Sequence, residues 1–189
     1  ALPHKGNLLI NNAGVGDYCD FAKAEPARLQ GQIELNITAL VMLTHALLPR
    51  MERSAERPAA VLNVSSLAGN LPMPDLAVYA ATKAFVTSFT EALRVELAQD
   101  NVVVAAVCPG PTPTNFGNNA RRADGSDTNR DGQAMLRIPP AQVVREGLRA
   151  LEHNAACVFP GLGVSLTAPL LRMMPRFLMR WLIKRRYRG

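Results

Sequence analysis

The chain has 189 residues, 48% of them hydrophobic and 19% charged, with 21 Lys+Arg against 15 Asp+Glu. That length suits one domain or part of a larger one, and the apolar share excludes a wholly disordered chain. Seven bases (Arg172, Arg176, Arg180, Lys184, Arg185, Arg186 and Arg188) and no acid lie in residues 172–189. The rest of the chain is therefore close to neutral, which argues against nucleic acid as a partner across the fold. No apolar run stays unbroken for about 18 residues, so a spanning helix is not expected. The first residues lack the charged-then-apolar order of a signal peptide. Cys19, Cys108 and Cys157 are far apart and odd in number, which fits a reduced, cytoplasmic setting better than a disulfide framework or a zinc site. His4, His45 and His153 are isolated, without metal-ligand spacing.

In chain order, Leu8-Leu9-Ile10 reads as a buried strand that ends in the turn Asn11-Asn12-Ala13-Gly14. Leu29, Ile33, Ile37, Leu40 and Val41 recur at helical spacing, which predicts a helix over about 26–49, with Pro26 in its first turn. A second strand, 60–64, ends at Ser65-Ser66. A long helix follows from Ala77 to about Ala98, with Phe85, Phe89 and Leu93 four apart. The third strand, 102–107, stops at Pro109-Gly110. Residues 111–139 are polar and read as one long loop. Pro140 opens a helix to about Glu152, and Cys157-Val158-Phe159 is a short fourth strand. Wholly apolar strands alternating with helices predict an α/β, Rossmann-like, doubly wound parallel sheet. Ligands of such sheets sit beyond the carboxyl ends of the strands, so the three strand-end segments should converge on one crevice.

Tyr79 and Lys83 lie four residues apart, on one face of the predicted helix. A nearby ammonium favours phenolate, so Lys83 is expected to lower the pKa of Tyr79 and make it an acid/base near neutral pH. Ser66 stands at a strand end, 13 residues earlier. Asn36 sits among Ile33, Leu35, Ile37 and Leu40, where a buried amide needs hydrogen-bond partners.

Taken in order, Asn11-Asn12-Ala13-Gly14, Asn36, Ser66, Tyr79 with Lys83, and Pro109-Gly110-Pro111-Thr112-Pro113-Thr114 resemble the short-chain dehydrogenase/reductase family. The resemblance covers residues 8–114; the C-terminal 75 match in layout only. It implies an NAD(P)-dependent oxidoreductase that interconverts a carbonyl and a secondary alcohol, with NAD versus NADP left open. It implies that Tyr79 exchanges the proton, Lys83 lowers its pKa and bonds the nicotinamide ribose, Ser66 holds the substrate oxygen, and Asn36 supports a water relay. Asn12, Ala13 and Gly14 would let the cofactor approach the backbone. For Asn12, tying neighbouring strands together is an equal alternative. Pro109 and Gly110 would wall the nicotinamide, and Thr112 and Thr114 would contact its carboxamide or the phosphates. Ser65 is expected to pack inward. The family's loop over 117–137 is expected to close over substrate.

The chain departs from the family at its start. No G-x-G-x-x-G turn occurs, nor an acidic residue placed to read the adenosine ribose. The expectation is a chain lacking the first strands, with Leu8-Leu9-Ile10 at an open sheet edge and weak activity alone. A non-catalytic fragment acting by association or membrane-surface contact is the alternative. Residues 1–165 read as the catalytic part and 166–189 as a basic amphipathic helical extension. Arg172, Arg176, Arg180 and Lys184 fall at i, i+4, i+8 and i+12. That stripe suits either an anionic membrane surface, giving a peripheral location, or a helix over the substrate cleft or a partner subunit. The helices carrying Asn36 and Tyr79 are apolar on more than one side, and the family pairs on them, so a homodimer is expected there.

Overall fold

A computed structural model describes residues 7–120 and 136–187. Four parallel strands lie in the order β1-β2-β3-β4: β1 (Leu8–Asn11), β2 (Ala59–Val64), β3 (Val102–Val107) and β4 (Cys157–Val158). The central strands are buried on both sides because each of their faces has its own helical cover. Val61 and Val104 pack with Leu9, Leu93 and Leu97 on one face. Their neighbours Leu62 and Ala105 pack with Val143, Ala150 and Leu151 on the other. The first face is covered by α2 (Leu40–Leu47) and α3 (Ala77–Glu96), with α1 (Pro26–Ile33) packed against α3, and the second by α5 (Pro140–Glu152). This is the doubly wound arrangement that the apolar strands require.

The cover stops short at β1. Among the described residues β1 pairs only with β2, and the side chains that point away from α2, Leu8 and Ile10, are 47% and 46% exposed. An apolar edge of this kind is an association hazard.

Three details differ from the sequence reading. The helix expected over 26–49 is continuous to Arg50, but it widens into a π-helical stretch at Glu34–Ala39, centred on Asn36. By length and composition, Pro26–Arg50 is also apolar enough to cross a membrane, although no unbroken run signals it. Its buried polar residues, Gln32, Asn36 and Thr44, face the body of the protein, so the apolar character lies mainly on its outer side. The polar loop over 111–139 contains the short helix α4 (Asn115–Asn119); its residues 121–135, and with them most of the expected substrate loop, lie outside the described residues. Finally, α6 (Leu162–Met173) precedes α7 (Arg176–Tyr187). The sequence shows no amphipathic signal for α6, and its interior Pro169 argues against a helix there. It runs through residues 165 and 166, where the catalytic part was expected to end, and its inner face joins Leu67 and Ile138 in a third apolar cluster.

Candidate active site

The strand ends converge as expected. A buried ladder of amides and hydroxyls sets their register first. Asn11 Nδ2 donates to Thr44 Oγ1 at 2.9 Å and to Asn63 Oδ1 at 2.8 Å, and Asn63 Nδ2 donates to Thr90 Oγ1 at 2.9 Å. Strand tying, the alternative weighed for Asn12, is thus done by Asn11. Asn12 and Ala13 are exposed beyond β1, and Gly14 is half-buried.

Gly14 is where the turn meets the helices. A Cβ there would lie 3.2 Å from Lys83 Nζ and 3.3 Å from Asn36 Oδ1. Asn36, 1% exposed, clamps the next residue: Val15 N–H donates to its Oδ1 at 2.9 Å, and its Nδ2 donates to Val15 O at 2.8 Å. The second amide proton goes to Thr82 Oγ1 at 3.0 Å. Both protons of the side-chain amide are therefore committed to positioning the turn against α3.

The second strand end supplies the serines. Ser65 is buried, with its hydroxyl on Lys83 O at 2.8 Å and against Thr87 Oγ1 at 2.7 Å. Ser66 turns the other way. It caps a 3-10 turn, Leu67–Asn70, by accepting from Ala68 N–H at 3.1 Å. That turn lies against α3 because Gly69 has no side chain; a Cβ there would come 2.7 Å from the Lys83 carbonyl carbon.

Tyr79 stands in the first turn of α3, with the ring of Phe116 from α4 at 5.2 Å. Burial pushes its phenol up from 10.0 to about 12; the Ser66 side chain pulls the other way, and Tyr18 adds to the rise. This corrects the expectation that Lys83 brings the phenol towards neutrality. The Lys83 ammonium donates to Val64 O at 2.9 Å and lies 5.8 Å from the centre of the Tyr79 ring, so in this unliganded arrangement desolvation wins. Burial also lowers Lys83, from 10.5 to about 8, against a smaller upward pull from the Cys108 thiolate charge.

The third strand end closes the crevice. Leu67 N–H donates to Pro109 O at 2.9 Å, which sets Pro109-Gly110 beside Ser66. Thr112 Oγ1 bonds Gly110 O at 3.0 Å, and Thr114 caps α4 by accepting from Phe116 N–H at 3.3 Å. Both threonines hold their own turns. The sequence reading missed Phe116, Thr82 and Gly69. The threonines of α3 carried a signal, since Thr82, Thr87 and Thr90 recur on the helix side that must be buried; Phe116, in a polar loop, carried none.

The crevice suits the nicotinamide end of a dinucleotide. Lys83 is 5% exposed and its ammonium carries three N–H groups, of which one goes to Val64 O among the described residues, so a ribose hydroxyl would complete it.

A family model, short chain dehydrogenase, matches residues 5–125, and the chain belongs to that family. It is 34% identical over 151 residues to the dehydrogenase/reductase SDR family member 7B of Bos taurus, an alignment covering 77% of this chain and 44% of that protein. Among solved structures it resembles a short-chain dehydrogenase from Sphingobium yanoikuyae in complex with NADPH, with a TM-score of 0.73 and 28% identity over 92% of this chain and 65% of that one. It also resembles a 3-ketoacyl-(acyl-carrier-protein) reductase from Brucella melitensis complexed with NADH, with a TM-score of 0.70 and 27% identity, covering 82% of this chain and 66% of that one. The chain therefore spans less than half the length of the bovine relative and just under two thirds of either solved chain.

Proposed function

We propose that these residues form the catalytic half of an NAD(P)-dependent oxidoreductase that interconverts a carbonyl and a secondary alcohol. The observation that carries this reading is the meeting of Ser66, Tyr79 and Lys83 at the strand ends, with the Lys83 ammonium 5.8 Å from the centre of the Tyr79 ring and bonded to the Val64 carbonyl two residues before Ser66. A bound nicotinamide would supply or accept the hydride. Lys83 would hold its ribose, the Asn12–Gly14 backbone and Pro109-Gly110 would flank it, and Thr112 and Thr114 would exchange their local bonds for contacts to it.

In reduction, Tyr79 gives its proton to the carbonyl oxygen. A phenol pushed up to about 12 is fully protonated at neutral pH, which suits an acid better than a base. Ser66 holds the same oxygen as its negative charge develops. Asn36, with its amide spent on Val15 and Thr82, keeps the turn and α3 at fixed spacing, and a water relay beyond it is part of this proposal. Phe116 presents an apolar wall next to Tyr79, which favours substrates with a hydrocarbon group beside the carbonyl.

The outer sides of α1, α2 and α3 support a homodimer. Ile33, Met42, Leu43 and Phe85 are 44%, 60%, 47% and 38% exposed, and Ile37, Ala77 and Ala81 line a shallow apolar groove between these helices. A cytoplasmic location is part of the same proposal, on the odd number of cysteines. The test of the activity is NADPH oxidation driven by a panel of ketones, with and without Tyr79→Phe. A panel that gives no turnover with NADPH or NADH removes the reading.

A further inference from the structure

Helix α6 is apolar on both sides. Val164 and Ala168 are 1% and 0% exposed and close the core against Leu67 and Ile138. The opposite side carries Leu162, Leu166, Leu170 and Met173, which are 83%, 69%, 66% and 83% exposed and follow one another at helical spacing. A soluble surface seldom leaves such a stripe bare. Helix α7 continues it in a different way. Met179 is its buried side, whereas Phe177 and Trp181 point outward, 74% and 55% exposed. Exposed cations flank those rings: Arg180 and Lys184 on one side and Arg185 on the other, its guanidinium 5.6 Å from the centre of the Trp181 ring. Arg172 does not belong to this set. It donates to Asn70 Oδ1 at 2.9 Å and ties α6 to the turn after Ser66, so the four-base stripe read from the sequence is broken between the two helices.

We infer that the outer side of α6 and α7 docks on an anionic lipid bilayer. The charge decides between occupants. No acid occurs anywhere in residues 162–189, so a second copy meeting this surface with its own would set like charges together. A bilayer takes leucines at the acyl boundary, aromatic rings at headgroup level and basic side chains on phosphates. Each helix has 12 residues, well short of the roughly 20 that span a bilayer, so the contact is interfacial. Because the inner side of α6 packs on Leu67 and would touch any side chain added at Gly110, docking holds the crevice at the membrane.

Trp181 is the single tryptophan, so its fluorescence reports on this surface alone. The full chain is titrated with vesicles of phosphatidylcholine containing phosphatidylglycerol, and with phosphatidylcholine alone. The expected result is a blue shift on the anionic vesicles, reversed by high salt and quenched by brominated acyl chains. Arg180→Gln with Lys184→Gln should weaken that binding about thirtyfold. Leu166→Asp with Leu170→Asp should weaken it by about tenfold or more, with an unchanged circular dichroism spectrum. No shift on anionic vesicles overturns the inference. So does an equal shift on neutral vesicles, or a shift that follows protein concentration without lipid, which would assign the surface to a second copy.

Discussion

Tyr79 and Lys83 share a helix face, as their spacing requires, but the structure shows that sharing a face does not fix a pKa. Lys83 spends its charge on the Val64 carbonyl, and burial raises the phenol to about 12 while lowering the ammonium to about 8. The sequence carried the residues and their grouping; the direction of the titration depends on burial, which no spacing encodes. Tyr79→Phe is expected to cut carbonyl reduction by about 10²–10⁴-fold in steady-state assays, with folding intact because the ring still packs on Phe116. The stability of the unliganded chain should also depend on pH in a set order. Between about 8 and 10.5 the unfolded chain holds the Lys83 proton more tightly, so the Lys83 contribution makes stability rise with pH. Between 10.0 and about 12 the folded chain holds the Tyr79 proton more tightly, so the Tyr79 contribution makes stability fall. Between about pH 8 and 9.5, below the Tyr79 window, the part of the denaturation midpoint's rise that Lys83 contributes should be present in the native chain and lost in Lys83→Met.

At the scale of elements, the strands were legible because β2 and β3 are apolar at nearly every position, and α3 and α5 because their ends and periods agree. The π-helical stretch was not legible: it exists because Asn36 reaches both Val15 and Thr82, partners set by tertiary packing. Helix α6 was hidden for the opposite reason, since a helix apolar on both sides has no contrast to read. Removing the Asn36 clamp with Asn36→Ala should cost about 2–3 kcal/mol in urea denaturation, because buried partners are left unpaired. Asn36→Asp should be no better, since a carboxylate accepts from Val15 N–H but cannot donate to Val15 O. Gly69→Ala should cost about 1–3 kcal/mol by pushing the turn after Ser66 off the α3 backbone, and reduction should fall with it.

At the scale of the molecule, membership of the short-chain dehydrogenase family and the parallel sheet agree with the sequence reading. The exposed side of α1, α2 and α3 invites pairing. Phe85→Glu should shift the mass in multi-angle light scattering from dimer to monomer, and a native protein that is already monomeric would contradict the dimer. Within these 189 residues no G-x-G-x-x-G turn is present to cradle a pyrophosphate, so calorimetry on these residues should show NADPH binding much weaker than that of a short-chain dehydrogenase that carries the turn. The most direct measurement is NADPH-dependent ketone reduction by the native protein and by Tyr79→Phe, at matched cofactor occupancy. Turnover by the native protein that collapses in Tyr79→Phe is the expected result; turnover that survives the loss of the Tyr79 hydroxyl would contradict the proposed chemistry.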